Sequence, residues 1–204
     1  AGALSPRSAR AQDVTCERGD LEVRGVEFRG NRAVDDDDLE LRVAVTPSSR
    51  ARPTFRIPLG EKRCLNREEL GNDIGRLEDY YRHRGFYGAQ VDTIVQNVSP
   101  GAVRVAFVIE EGPPMILARY EVTGMEGVDE AAEIRRRLRL RVGQPFDFGL
   151  YLADIDTIIG RLRDAGYYRA DHVWGYSVDT AQAQRAEAFI TVLPGARARF
   201  GTHF

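Results

Sequence analysis

Gly85-Phe86-Tyr87-Gly88-Ala89 recurs as Gly166-Tyr167-Tyr168-Arg169-Ala170, a shift of 81 residues. The same shift relates Asp73-Ile74 to Asp154-Ile155, Leu77 to Ile158 and Tyr81 to Leu162. Residues 74, 77 and 81, like 155, 158 and 162, stand at helical spacing, so each set predicts one apolar helix face. The glycines follow the last periodic residue, where a left-handed C-cap is wanted. Asn66 and Asp147, again 81 apart, occupy the N-cap positions. Both ends of the helix are specified twice.

Downstream, Val103, Val105, Phe107 and Ile109 alternate with other residues before Gly112-Pro113, and Ala186, Ala188, Ile190 and Val192 do so before Pro194-Gly195. Period-two alternation ending in Gly and Pro predicts half-buried strands. Ala89 to Val98 and Ala170 to Asp179 read as their partners, joined through turns at Pro100-Gly101 and at Thr180 to Gln184. Upstream, Val26-Glu27-Phe28-Arg29-Gly30 matches Tyr120-Glu121-Val122-Thr123-Gly124. Val34-Asp35 and Val128-Asp129 then open short helices with inner faces at Leu39 and Val43, and at Ile134 and Leu138. The first copy carries a proline-rich insertion, roughly Thr46 to Arg63, that reads as a loop. The fold class is therefore α+β. Tandem β-α-α-β-β modules each form a three-stranded sheet covered on one face by two helices.

That order, with a glycine-aromatic pair after the second helix and a last strand ending near Glu111-Gly112, resembles the POTRA domain. The motifs that carry the resemblance are Tyr80-Tyr81 to Gly85-Phe86-Tyr87, Phe107 to Gly112, Gly143-Gln144-Pro145-Phe146-Asp147, and Arg161-Leu162 to Gly166-Tyr167-Tyr168. They are similar to tandem POTRA domains of outer-membrane protein assembly factors of the BamA/TamA type. One departure is Met125, where the first copy has Asn31. The resemblance implies a mixed sheet with strand order first, third, second. Four segments follow: a tail at 1–20, a first POTRA-like domain at 21–113, a second at 114–194 and the start of a third module at 195–204. Within the tail, Ala9-Arg10-Ala11 fits the small-x-small triplet of a signal-peptide cut, against the plainer alternative of an arbitrary terminus.

The same resemblance implies the periplasmic portion of an outer-membrane β-barrel protein in a Gram-negative-type cell. Its expected role is to receive unfolded outer-membrane or secreted polypeptides by β-strand addition at the edge formed by the second strand. The candidate edge residues are Val91, Thr93 and Val95 in the first copy, and Val173, Trp174 and Tyr176 in the second. Two other roles stand beside this one: a scaffold docking folded partners such as periplasmic lipoproteins or chaperones, and the POTRA region of a two-partner secretion transporter.

Composition adds little to this. The 29 Lys and Arg nearly balance 31 Asp and Glu among 204 residues, which gives no field favouring nucleic acid. No run approaches the ~18 apolar residues of a membrane-spanning helix. His83, His172 and His203 are isolated, and no nucleophile motif, P-loop or dinucleotide fingerprint occurs, so neither an enzyme nor a cofactor or metal site is expected. Cys16 and Cys64 are either one disulfide or two unrelated thiols. Arg135-Arg136-Arg137 with Arg139 and Arg141 is either a contact for a membrane surface or a solvated helix face. Asp35 to Asp38 complement a helix N-terminus.

Overall fold

The computed structural model describes residues 16, 19–49, 61–180 and 184–198. The triplet Ala9-Arg10-Ala11, most of the Thr46 to Arg63 insertion, the tip of the second hairpin, His203 and most of the 195–204 segment lie outside the described residues. The first repeat comprises β1 (Glu22–Arg29), α1 (Asp36–Glu40), α2 (Arg67–His83), β2 (Gln90–Ser99) and β3 (Ala102–Glu110). The second comprises β4 (Ile116–Thr123), α3 (Ala131–Arg137), α4 (Phe148–Asp164), β5 (Asp171–Asp179) and β6 (Arg185–Leu193). Their sheets have the orders β1-β3-β2 and β4-β6-β5. The outer pairs β1–β3 and β4–β6 are parallel, whereas β5 runs antiparallel to β6. Both copies are thus the three-stranded mixed sheet expected.

By compactness the chain divides into two units, Ala1–Leu77 with Val91–Glu110, and Glu78–Gln90 with Glu111–Phe204. The end of α2 and the loop after it therefore group with the second unit.

The caps follow from the sequence. Asn66 Oδ1 accepts from the N–H groups of Glu68 (2.9 Å) and Glu69 (3.2 Å), and Asp147 Oδ1 accepts from Leu150 N–H at 2.9 Å. Gly85 and Gly166 have φ of 91° and 96°, the left-handed region that glycine alone enters without cost. The inner faces are also as read, since Leu77, Tyr81, Ile158 and Leu162 are fully buried. The short helices stop sooner than their apolar spacing suggests. Val43 and Leu138 lie beyond α1 and α3, yet both remain buried. Where Asn31 ties its loop through Val34 O (3.0 Å) and Asp36 Oδ1 (2.7 Å), Met125 instead fills the second core. The strand exits nevertheless match, with Gly30 and Gly124 both at positive φ.

Each repeat buries one carboxylate completely. Asp73 accepts from Ala44 N–H (2.8 Å) and Val45 N–H (2.9 Å) and pairs with Arg76. Asp154 accepts from Arg139 N–H (2.6 Å), Leu140 N–H (3.1 Å) and the Tyr120 hydroxyl (3.0 Å). A buried charge is tolerated only when hydrogen-bonded in this way. Each carboxylate therefore staples the chain after the short helix to the long helix beneath it. Asp154→Ala should strand three donors and cost the second unit roughly 3 kcal/mol, measurable by urea unfolding. A cost below about 1 kcal/mol would contradict the staple.

Candidate functional site

The two edges of each sheet are unlike. The β1 edge is partly closed by the segment before α2: Val23 N–H donates to Arg63 O (2.9 Å) and Leu65 N–H to Leu21 O (2.8 Å). The β4 edge repeats this, with Leu117 N–H on Gln144 O (2.9 Å) and Phe146 N–H on Met115 O (2.8 Å). Bridges pair Glu22 with Cys64 and Ile116 with Pro145. In the first copy Cys64 is also disulfide-bonded to Cys16, their Cα atoms 5.5 Å apart. A bulge interrupts both edges at the same place, between Val23 and Gly25 and between Leu117 and Arg119. Among the described residues, no strand or bridge lies on the outer side of β2 or β5.

The backbone orientation of β5 follows from one side chain. The Tyr151 hydroxyl lies 3.0 Å from Gly175 O and 2.6 Å from Phe189 O, and these two residues face each other across β5 and β6. One oxygen can approach both carbonyls only if both point into the gap between the strands. Gly175 is thus in the hydrogen-bonded class of antiparallel pairs, and its alternate neighbours are not. His172, Trp174, Tyr176 and Val178 consequently turn their N–H and C=O groups outward. The His172 N–H is already taken by Asp171 Oδ1 at 2.8 Å, as the Thr93 N–H in β2 is by Asp92 Oδ1 at 2.7 Å.

The same residues aim their side chains at the helices. Trp174 and Tyr176, both 41 % exposed, pack against an aromatic floor laid by the N-terminus of α4. Trp174 stands 6.2 Å from Phe148 and 5.8 Å from Tyr151, and Tyr176 stands 5.2 Å from Phe146 and 5.3 Å from Phe148. These separations are those of favourable aromatic pairs. Val173 does not join this group, because strand alternation puts it on the opposite sheet face, paired with Thr191. On that face the Phe189 ring covers Gly175, where an added Cβ would lie 2.8 Å from a ring carbon. In β2, Val91, Thr93 and Val95 share one face, with Val91 buried and Val95 38 % exposed.

The other charged candidates have local partners. Arg135 donates to Val122 O (2.6 Å), Arg137 pairs with Glu133 (2.7 Å), and Arg141 donates to Leu140 O (2.8 Å). His83 Nδ1 lies 2.8 Å from Asp79 O. Asp36, Asp37 and Asp38 occupy the first turn of α1.

Residues 21–112 match the family model POTRA, described as surface antigen variable number repeat. The match spans the whole of the first repeat, from β1 to β3. A curated relative, the outer membrane protein assembly factor BamA of Neorickettsia risticii (strain Illinois), is 24 % identical over 157 residues. That match covers 77 % of this chain and 21 % of the relative, so the chain spans about a fifth of the relative's length. Among solved structures, Haemophilus influenzae BamA POTRA3-5 matches with TM-score 0.45 and 22 % identity, covering 87 % of this chain and 67 % of that one. POTRA1-2 of the periplasmic domain of Omp85 from Anabaena matches with TM-score 0.36 and 20 % identity, covering 88 % and 98 %. CdiB from Escherichia coli matches with TM-score 0.33 and 16 % identity, covering 95 % and 30 %.

The Anabaena match is described as part of the periplasmic domain of its Omp85. Within the second module, the floor residues Phe146, Phe148 and Tyr151 were not among the candidate site residues legible in the repeat. Their signal was the aromatic density of a single stretch, 146–151, with no counterpart at 65–70. Burial pushes the Tyr151 phenol up to about 12 from an ordinary 10.0. Burial, then the Asp154 charge, pushes Tyr120 up as well. A raised folded-state value means the protonated phenol stabilises the fold fully below about pH 10, and this is lost as pH rises through 12. The second module should melt progressively lower across that window, and Tyr151→Phe should flatten the decline; an unaltered decline in the variant would contradict the assignment.

Proposed function

We propose that the chain is part of the periplasmic arm of an outer-membrane β-barrel protein and that it receives unfolded outer-membrane or secreted polypeptides by strand addition. The observation that carries the reading is the β5 edge. Its outward backbone groups at Trp174 and Tyr176 stand directly above an aromatic floor. An added strand would pair its own N–H and C=O groups with that edge. Its alternate side chains would settle beside Trp174 and Tyr176. Backbone pairing tolerates many sequences, as a receiver of varied clients requires, and breaks no covalent bond. Trp and Tyr offer large contact areas at small entropic cost, which suits them as anchors. The β2 edge is a second acceptor with a smaller face, built from Val91, Thr93 and Val95. In this reading the modules run over 21–113 and 114–194.

The outward geometry dictates the test. Proline at an outward-facing position of an edge strand removes a free donor but no ladder bond, so the fold survives. Trp174→Pro and Tyr176→Pro should weaken binding of a labelled, unfolded barrel-strand peptide by about tenfold or more. Trp174→Ala and Tyr176→Ala, which keep the donors, should weaken it less. Folded proline variants that bind as the parent does would sink the proposal.

A further inference from the structure

The third donor on each stapling aspartate comes from a different element in the two repeats. In the second repeat Tyr120 stands in β4 at the position of Val26 in β1. Its half-buried ring packs against the second core, 6.3 Å from the Tyr151 ring. Its hydroxyl donates to Asp154 Oδ2 at 3.0 Å, the oxygen that Leu140 N–H also meets at 3.1 Å. In the first repeat Val45 N–H meets Asp73 Oδ2 at 2.9 Å, so Val45 stands where Leu140 does. The third donor there is Arg76, from the long helix itself. Position 26 is thereby released from any polar duty, and valine carries no ring.

Beside Val26 and Val45 the first repeat has a hollow of about 420 Å³. Val26, Leu41, Val43 and Val45 form its aliphatic walls, and Asp37 and Glu40 stand among them. Its size is that of a small-ligand pocket. Val43 and Val45 are buried, whereas Leu41 is 79 % exposed. Counted back from the stapled amides, Glu40-Leu41 occupy the positions of Arg135-Arg136. The second repeat thus has two cations where the first has a carboxylate and an apolar side chain. A lone exposed leucine needs no explanation. One standing on the lip of an aliphatic hollow extends a contact surface.

We infer that this hollow receives one aromatic side chain of a partner polypeptide, with a basic residue next to it facing Asp37 and Glu40. Two observations select that occupant. The second repeat fills the matching position with its own tyrosine ring, so the framework accommodates a ring there. The carboxylates of Asp37 and Glu40 favour a cation beside the ring, the opposite of what Arg135 and Arg136 would favour. Because Arg76 already serves Asp73, the incoming ring needs no hydrogen bond, and phenylalanine suffices. The site lies wholly within the first compact unit. It rests on the comparison of the repeats and is independent of strand addition at β5.

Nuclear magnetic resonance titration tests it. In the isotope-labelled protein, the peptide Gly-Lys-Phe-Lys-Gly should shift the amide signals of Val26, Leu41, Val43 and Val45. Gly-Lys-Ala-Lys-Gly should need about tenfold more peptide for the same shift, as expected for losing one buried aromatic side chain. Gly-Glu-Phe-Glu-Gly should also bind more weakly, because its carboxylates meet those of Asp37 and Glu40. Val26→Tyr fills the hollow from within. Leu41→Arg introduces the second repeat's residue at an exposed position, which leaves the fold intact. Each variant should weaken binding of the phenylalanine peptide by about tenfold or more. An equal response to the three peptides, or shifts confined to other residues, would overturn the proposal. So would parent-like binding by either folded variant.

Discussion

A carboxylate with no exposed surface must have its lone pairs met by protein donors, because burial removes the water that would otherwise satisfy them. Asp73 and Asp154 obey that constraint in the same manner, each drawing two consecutive backbone N–H groups onto the long helix. The chain following α1 or α3 is thereby locked over the sheet. The helical layer cannot slide, and this fixes which sheet edge stands beside the helix N-terminus. The aromatic floor under β5 depends on that placement, because Phe148 and Tyr151 belong to the first turn of α4 and Phe146 lies just before its N-cap.

The regular parts of the fold were legible because each is a local signal repeated at a fixed interval. Asn66 and Asp147 announced helix starts, Gly85 and Gly166 announced helix ends, and alternation marked β3 and β6. The stapling aspartates were visible as a matching pair but not as buried groups, since an aspartate in a helix is ordinarily a surface residue. Nor were the bulges in β1 and β4 readable, because one extra residue leaves no mark in a short apolar run. Val43 and Leu138 fit a helical period yet lie past the helix ends. Val173 stood between the two edge aromatics and the helix-facing His172 in sequence but faces the other way, as period two demands. A run of large side chains on a strand does not share a face.

The two modules have one topology and different surfaces. The segment that closes the β1 edge is tethered by Cys16–Cys64, whereas in the second module Pro145 stands at the corresponding bridge without a covalent tie. The exposed edge differs more. Along β2 the candidate residues are Val91, Thr93 and Val95, aliphatic or small; along β5 they include Trp174 and Tyr176. Under the strand-addition proposal, equal backbone chemistry with unequal side-chain contact area would make the second edge the stronger receiver of an extended peptide.

Amide hydrogen exchange resolved to single residues tests the central claim most directly. In the free protein, the amides of Val173, Gly175 and Ser177 should exchange slowly, since they point toward β6. Those of Trp174 and Tyr176 should exchange fast. Saturating unfolded barrel-strand peptide should slow Trp174 and Tyr176 while leaving Val173, Gly175 and Ser177 unchanged. If the peptide binds and Trp174 and Tyr176 still exchange fast, the β5 edge is not where an extended chain is received.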